Sequence, residues 1–223
     1  KDVETIRPPE LAIAAILPRA DIRDVLVGAA SIAELPHGAR VGTGAPRRAA
    51  QLLNLRPDCA IVPFRGNVAT RLARIGAGEA DATFLAAAGL ERLGLKDVGS
   101  MLEPCDWLPA AAQGAIGIEC RSGDTSTMDL LAAIDHPASR NQVLAERALL
   151  EGLGGSCHSP VAALCTGEDK LAMRAALFSG DGRDKLERSV EFAARDLAAA
   201  RALAQELLEC AGPAIRKTFA GRP

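Results

Sequence analysis

Residue Cys157 ends a run of small residues, Gly152-Leu153-Gly154-Gly155-Ser156, and is followed by His158, Ser159 and Pro160. Glycines ahead of a thiol let the backbone approach a ligand closely, and Pro160 keeps the loop from extending into a hydrogen-bonded ladder. A thiolate is a nucleophile. A lone cysteine is nevertheless more often a small apolar filler, so its chemistry depends on what the chain offers beside it. The offer is arginine. Arg47, Arg48, Arg65, Arg71 and Arg92 fall where apolar runs give way to helical patterns, and planar guanidinium forks suit carboxylates and phosphates. Arg47 and Arg48 occupy the first turn of a helix opened by Pro46, where the positive macrodipole end disfavours cations by up to about 1 kcal/mol. An anion at that helix start would draw on backbone N–H groups and both side chains. For any single arginine an ion pair with a neighbouring Asp or Glu serves equally well, whereas five at like junctions favour a ligand.

The elements that must place these groups follow from periodicity. Residues 10–17 form an apolar run of strand length after Pro8 and Pro9. From 21 to 95 strand and helix patterns alternate: strands at 24–28, 39–43, 60–64 and 82–86, a short helical turn at 31–35, and helices at 47–55, after Asn67 to 76–78, and at 90–93. Such alternation predicts a parallel or mixed sheet covered on both faces, with ligands beyond the carboxyl ends of the strands. Residues 107–119 read as a linker followed by a buried strand that returns to the first domain, with Trp107 as a packing anchor. Helices are predicted at 127–134 and 139–153, broken by His136 and Pro137. Strands at 161–165, 171–178 and 186–193 make an antiparallel meander, and Asp196 caps a last helix over 197–210. The meander and its helices form a small α+β domain that carries Cys157 on its edge.

Composition narrows the function. The 223 residues carry a net charge of −2 and are 48% hydrophobic, enough for sizeable cores and too balanced for a general nucleic-acid or membrane surface. Any basic site is therefore local. Six cysteines lack C-x-x-C or disulfide-framework spacing, which points to reduced thiols and a cytoplasmic setting. The three histidines form no metal motif. No run approaches transmembrane length and no signal peptide is visible.

Taken together, Lys1-Asp2-Val3, Gly42-Thr43 ahead of Arg47-Arg48, Arg65-Gly66-Asn67-Val68 with Thr70-Arg71, Ala88-Gly89-Leu90 with Arg92-Leu93-Gly94, Gln113-Gly114, and Gly155 with Cys157 resemble the porphobilinogen deaminase family in order and spacing. The likeness runs from Lys1 to near the C-terminus. It implies an α/β fold of two periplasmic-binding-protein-like domains, the first incomplete here, plus a C-terminal α+β domain with a three-stranded antiparallel sheet. The corresponding boundaries are 1–18 with 110–134, 19–109, and 135–223. It further implies that Cys157 holds a dipyrromethane cofactor through a thioether, and that four porphobilinogen molecules are added head to tail with loss of ammonia before hydrolysis releases hydroxymethylbilane. Asp2 would be the catalytic carboxylate, holding pyrrole N–H groups and stabilising the cationic azafulvene from a desolvated position. Lys1, Asp2, Thr43, Arg47, Arg48, Arg65 and Gly66 would contact the cofactor. Arg71, Gly89, Arg92 and Gln113 would contact the substrate. A monomer with no metal, nucleic-acid or membrane partner is implied. Gly44-Ala45-Pro46 stands where the family usually carries hydroxyl residues, and the family's further segment ahead of the Lys-Asp pair makes this sequence, on expectation, part of a longer protein. The alternative is a non-enzymatic two-lobed binding protein or sensor for small carboxylates, which would use the arginines and have no need of Cys157.

Overall fold

The computed structural model describes residues 2–154 and 159–219. Three sheets organise them. Strand β1 (Leu11–Ile16) enters first. The second sheet then takes β2 (Asp24–Val27), β3 (Arg40–Gly42), β4 (Ala60–Val62), β5 (Ala82–Ala86) and β6 (Ser100–Leu102) in the order β4-β3-β5-β2-β6. Strand β3 runs parallel to β4 and β5, while β2 runs antiparallel to β5 and β6, so the sheet is mixed. Helices α1 (Pro46–Leu55), α2 (Val68–Gly76) and α3 (Ala87–Arg92) supply the connections. The chain returns through β7 (Gly117–Arg121), which pairs antiparallel with β1, and continues into α4 (Thr125–Ala132) and α5 (Pro137–Gly152). Last come the antiparallel meander β8 (Val161–Gly167), β9 (Lys170–Phe178) and β10 (Lys185–Ala193), then α6 (Leu197–Cys210) and α7 (Pro213–Phe219).

Local chemistry sets several boundaries. Asn67 caps α2 through a 2.9 Å bond from the Thr70 N–H, and Asp196 caps α6 through the Ala199 N–H at 3.2 Å. In the meander the inward side chains Val161, Cys165, Leu171, Met173 and Leu177 meet Leu149, Leu203 and Leu207 in one core. Burial, and secondarily the charge of Glu146, pushes the Cys165 thiol up to about 12, so it serves as core filler.

Three expectations need correction. Residues 31–35 form turns and bends, because the segment is too short for its own hydrogen-bonded turn to pay back nucleation. Helix α3 starts directly after β5 at Ala87, since Ala87, Ala88 and Leu90 are all buried against the sheet. Strand β7 is half-exposed and not buried, because it borders a sheet of only two strands. Beyond the expected elements, β6 and α7 form, a three-residue edge strand paired to β2 and a short helix anchored by buried Ile215 and Phe219.

A buried ion pair ties the three sheets to one another. Arg19 donates to both oxygens of Glu146 at 2.8 and 3.0 Å and to the Gln113 carbonyl at 2.9 Å. Glu146, fully buried on α5, also accepts the Ala112 N–H at 2.5 Å and the Cys165 N–H at 2.8 Å. One carboxylate thus holds the entry to the second sheet, the return segment and β8. Ala112 sits at a left-handed φ of 58°, and Gly114 follows at 81° with the Ala20 carbonyl 2.5 Å from where a Cβ would stand. A side chain at Gly114 has no room. Glu146→Gln strands a buried guanidinium and is expected to cost about 3–5 kcal/mol; urea unfolding of both proteins measures it, and a loss below about 1 kcal/mol would contradict this role.

Candidate active site

The central feature is a cavity of about 680 Å³ lined by residues of the second sheet and its helices, the return segment, α5 and β8. Its wall from the second sheet carries Gly44, Ala45, Arg47 and Arg48 at the start of α1, then Arg65, Gly66 and Arg71 around the start of α2, and Gly89 on α3. The opposite wall is Ala110, Ala111 and Ala112 with Leu150, Ser159 and Val161. Asp2, Val3 and Thr5 close one side, and Arg147 on α5 projects beside them. Five guanidinium groups therefore share the lining with a stripe of apolar side chains, and Asp2 is the one carboxylate among the described lining residues.

Beneath the α1 wall lies Asp24, 1% exposed at the start of β2. Its Oδ2 accepts Arg47 Nη2 and its Oδ1 accepts Arg48 Nη2, each at 2.6 Å. Trp107 Nε1 and Gln113 Nε2 donate to the same two oxygens at 2.8 and 2.9 Å. The remaining Nη1 groups bond backbone carbonyls, Arg47 to Leu108 at 2.8 Å and Arg48 to Phe84 at 3.0 Å. Burial alone would raise the Asp24 pKa, but the two guanidinium charges and their hydrogen bonds outweigh it and hold the carboxyl far below the usual range. Burial lowers the pKa of Arg47, against the pull of Asp24. The anion foreseen at this helix start is thus partly internal. The Nε atoms of Arg47 and Arg48 are buried without a hydrogen-bond partner. Stranded buried donors are costly unless a partner meets them.

The other expected site residues divide. Arg65 lies in the loop beyond β4, exposed to the cavity, and has no hydrogen-bond or ion-pair partner among the described residues. Arg71, one turn into α2, donates Nε to the Gly66 carbonyl at 3.0 Å, and its pKa is lowered by burial and then by the charge of Arg48. Gly66 takes φ 112°, with Thr70 Cγ2 only 2.9 Å from a would-be Cβ; at Gly89 that space is open except for Val68 at 3.9 Å.

Four placements differ from expectation. Thr43 is buried behind the lining, where its hydroxyl accepts the Ala45 N–H at 3.1 Å, because the turn into α1 has no capping side chain of its own. Gln113 lies behind the wall, bonded to Asp24 and to the Ile22 carbonyl, because the return segment is held deep by Glu146. Arg92 is at the C-terminal end of α3, exposed, outside the cavity lining and bonded to the Gly114 carbonyl at 3.1 Å, because that helix starts earlier than its pattern suggested. Asp2 is exposed at the cavity edge and not desolvated. Lys1 and Cys157 lie outside the described residues.

Two positions at the site escaped sequence reasoning. Asp24 looked like an ordinary strand start, 23 and 24 residues from its partners. Arg147 is three residues before Leu150 on the same helix face, a helical spacing that could have flagged it. It donates to the Glu4 and Thr5 carbonyls at 2.7 and 2.9 Å, and burial lowers its pKa.

Known proteins bear on this geometry. The porphobilinogen deaminase dipyromethane cofactor-binding domain matches residues 1–129, and the porphobilinogen deaminase C-terminal domain matches residues 141–211. A porphobilinogen deaminase of Sphingopyxis alaskensis is 54% identical over 99% of this chain and 71% of its own length. That of Roseiflexus castenholzii is 45% identical over 96% of this chain and 72% of its own length. That of Paracoccus denitrificans is 50% identical over 82% of this chain and 60% of its own length.

Asp24 gives a pH signature. An unfolded aspartate takes up its proton near pH 3.9, about the ordinary value, whereas the folded one does so only at much lower pH. Its stabilisation is therefore complete above the unfolded value and is lost as pH falls toward the depressed folded value. Asp24→Asn should cost about 3–5 kcal/mol at pH 7. That deficit should shrink as urea unfolding is repeated below about pH 4, and an undiminished deficit at pH 3 would exclude a charged Asp24 as its source.

Proposed function

The chain belongs to the porphobilinogen deaminase family, and from that premise we propose that it joins four porphobilinogen molecules head to tail, with loss of ammonia, and releases hydroxymethylbilane. One observation carries the proposal: five guanidinium groups, two of them with buried unpartnered Nε donors, share the lining of one cavity with an apolar stripe. Flat pyrroles that each bear two carboxylates need that combination, apolar surface for the ring and cationic forks for the arms. The non-enzymatic carboxylate-binding alternative finds no support among the relatives, which are named as deaminases.

The residues present fit the dipyrromethane cofactor of this family. The stranded Nε donors of Arg47 and Arg48, with Arg65 and Gly66, would hold its acid arms. Leu150 and Ser159, on either side of Cys157 in sequence, both line the cavity, which supports Cys157 as the anchoring thiol. When bound, the cofactor supplies the pyrrole α-carbon to which the first porphobilinogen methylene is joined.

Arg71 and Arg147 reach the cavity from opposite walls and would orient the arms of incoming porphobilinogen. The bareness of Gly89 leaves room for the ring. Asp2 at the edge would accept pyrrole N–H bonds and offset the positive charge that develops on porphobilinogen as its C–N bond breaks and ammonia departs. Bound pyrroles would themselves strip water from this carboxylate, which is how an exposed group could act in a low-dielectric setting. Gln113 and Thr43 act, on this reading, from behind the lining, and Arg92 from outside it.

We read residues 1–18 with 110–134, 19–109, and 135–223 as three domains, the first two of periplasmic-binding type. Five cysteines among the described residues are free thiols, which supports a cytoplasmic, reducing location. We read the protein as a monomer, since the described lining of the cavity comes from one chain. No described helix is long and apolar enough to cross a membrane.

Two experiments test the assignment. Intact-mass measurement of natively purified protein should show a dipyrromethane adduct that Cys157→Ala abolishes; a bare polypeptide mass would sink the proposal. Asp2→Asn and Arg65→Leu should each lower kcat/KM for porphobilinogen by at least about 100-fold and 10-fold respectively, with melting temperatures within about 2 °C of wild type. A large loss of stability in Arg65→Leu would instead mark Arg65 as structural.

A further inference from the structure

We propose that Asp24 is a positioning residue for the reaction: one carboxylate, keyed in place by Trp107 and Gln113, aims the guanidinium groups of Arg47 and Arg48 so that their Nε edges meet the ligand's acid arms. The inference rests on the functional reading above and deepens it. Neighbouring positions on a helix project about 100° apart, so Arg47 and Arg48 have no intrinsic reason to converge, and their like charges push them apart. Asp24 overrides both tendencies, because one oxygen takes Nη2 of Arg47 and the other takes Nη2 of Arg48.

The carboxylate is itself locked. Trp107 Nε1 and Gln113 Nε2 occupy its two remaining acceptor directions. Trp107 cannot swing away, since it stacks on Phe84 with ring centroids 4.7 Å apart. Each arginine is also held through Nη1 by a carbonyl, of Leu108 or Phe84. With a bond from both terminal nitrogens of each fork tied inward, the Nε donors remain, and both are buried and unpartnered, as is Gln113 Oε1 behind them. A purely structural ion triad would consume its donors internally. This one leaves the Nε atom of each arginine unpartnered.

Charge points the same way. Two guanidinium groups over one carboxylate leave a single net positive charge, enough to attract an acid arm without holding a string of them irreversibly. Discrimination then comes from direction, because an arm must reach the Nε edges to complete the array.

The experiment compares Trp107→Phe and Asp24→Asn with wild type in the full chain, reading melting temperature, dipyrromethane adduct occupancy by intact mass, and KM and kcat for porphobilinogen. Trp107→Phe keeps an aromatic ring against Phe84 and removes one of the four bonds to Asp24. It should raise KM about three- to tenfold, move kcat less than KM, and melt within a few degrees of wild type. Asp24→Asn should lose most adduct occupancy at temperatures where it is still folded; if it does not accumulate folded, Trp107→Phe decides the question. Lowered melting with wild-type KM and full occupancy in Trp107→Phe would show a merely structural role and overturn the inference alone. Wild-type protein with neither adduct nor turnover would overturn the functional reading and this inference with it.

Discussion

A single carboxylate shared between two arginines is the constraint on which the rest of this structure depends. Asp24 starts β2, Arg47 and Arg48 start α1, and Trp107 and Gln113 belong to the segment that leaves the second sheet. None of these charges could be buried alone, since an unpaired ion in such a setting is far more costly than the pair is stabilising. Their mutual satisfaction lets a helix begin with two cations and no acidic residue in its first turn, and it brings the positive end of that helix to the cavity.

Glu146 forms a second buried centre on the other side of Gln113. The side chain of Gln113 reaches Asp24, while its carbonyl accepts from Arg19, the partner of Glu146. Residues 110–112, which make the apolar wall, are thus suspended between two ion networks. The wall consists of alanines, so little side-chain entropy or volume stands in the way of a flat ligand, and its position is set by backbone bonds to groups outside the cavity. One wall is rigid because ions hold it, and the facing wall is cationic because only part of its charge is neutralised. Selectivity for acidic, planar molecules follows from that asymmetry.

Several site arginines were legible as a group and not individually. An arginine at a strand-to-helix junction signals either an internal ion pair or a ligand, and Arg47 and Arg48 turned out to serve an internal pair while each keeps a buried, unpartnered Nε. Arg65 has no partner among the described residues, so its placement suits a ligand. Arg92 fell outside the cavity because a helix boundary moved by one turn: buried alanines at 87 and 88 started α3 early and carried Arg92 to its far end. Boundary shifts of this size are invisible to periodicity when the residues involved are alanines.

By itself the sequence determined the alternation of strands and helices, the caps at Asn67 and Asp196, the antiparallel meander and the motif order that marks the family. These depend on neighbours within a few positions, where spacing and side-chain type decide the outcome. Only the tertiary structure decided that Asp24 binds Arg47 and Arg48 across 23 and 24 residues, that Glu146 joins three sheets, and that Gln113 and Thr43 sit behind the cavity wall. Such pairings depend on which elements become neighbours once cores pack. A buried charge takes whichever partner that packing delivers, and local sequence carries no record of it.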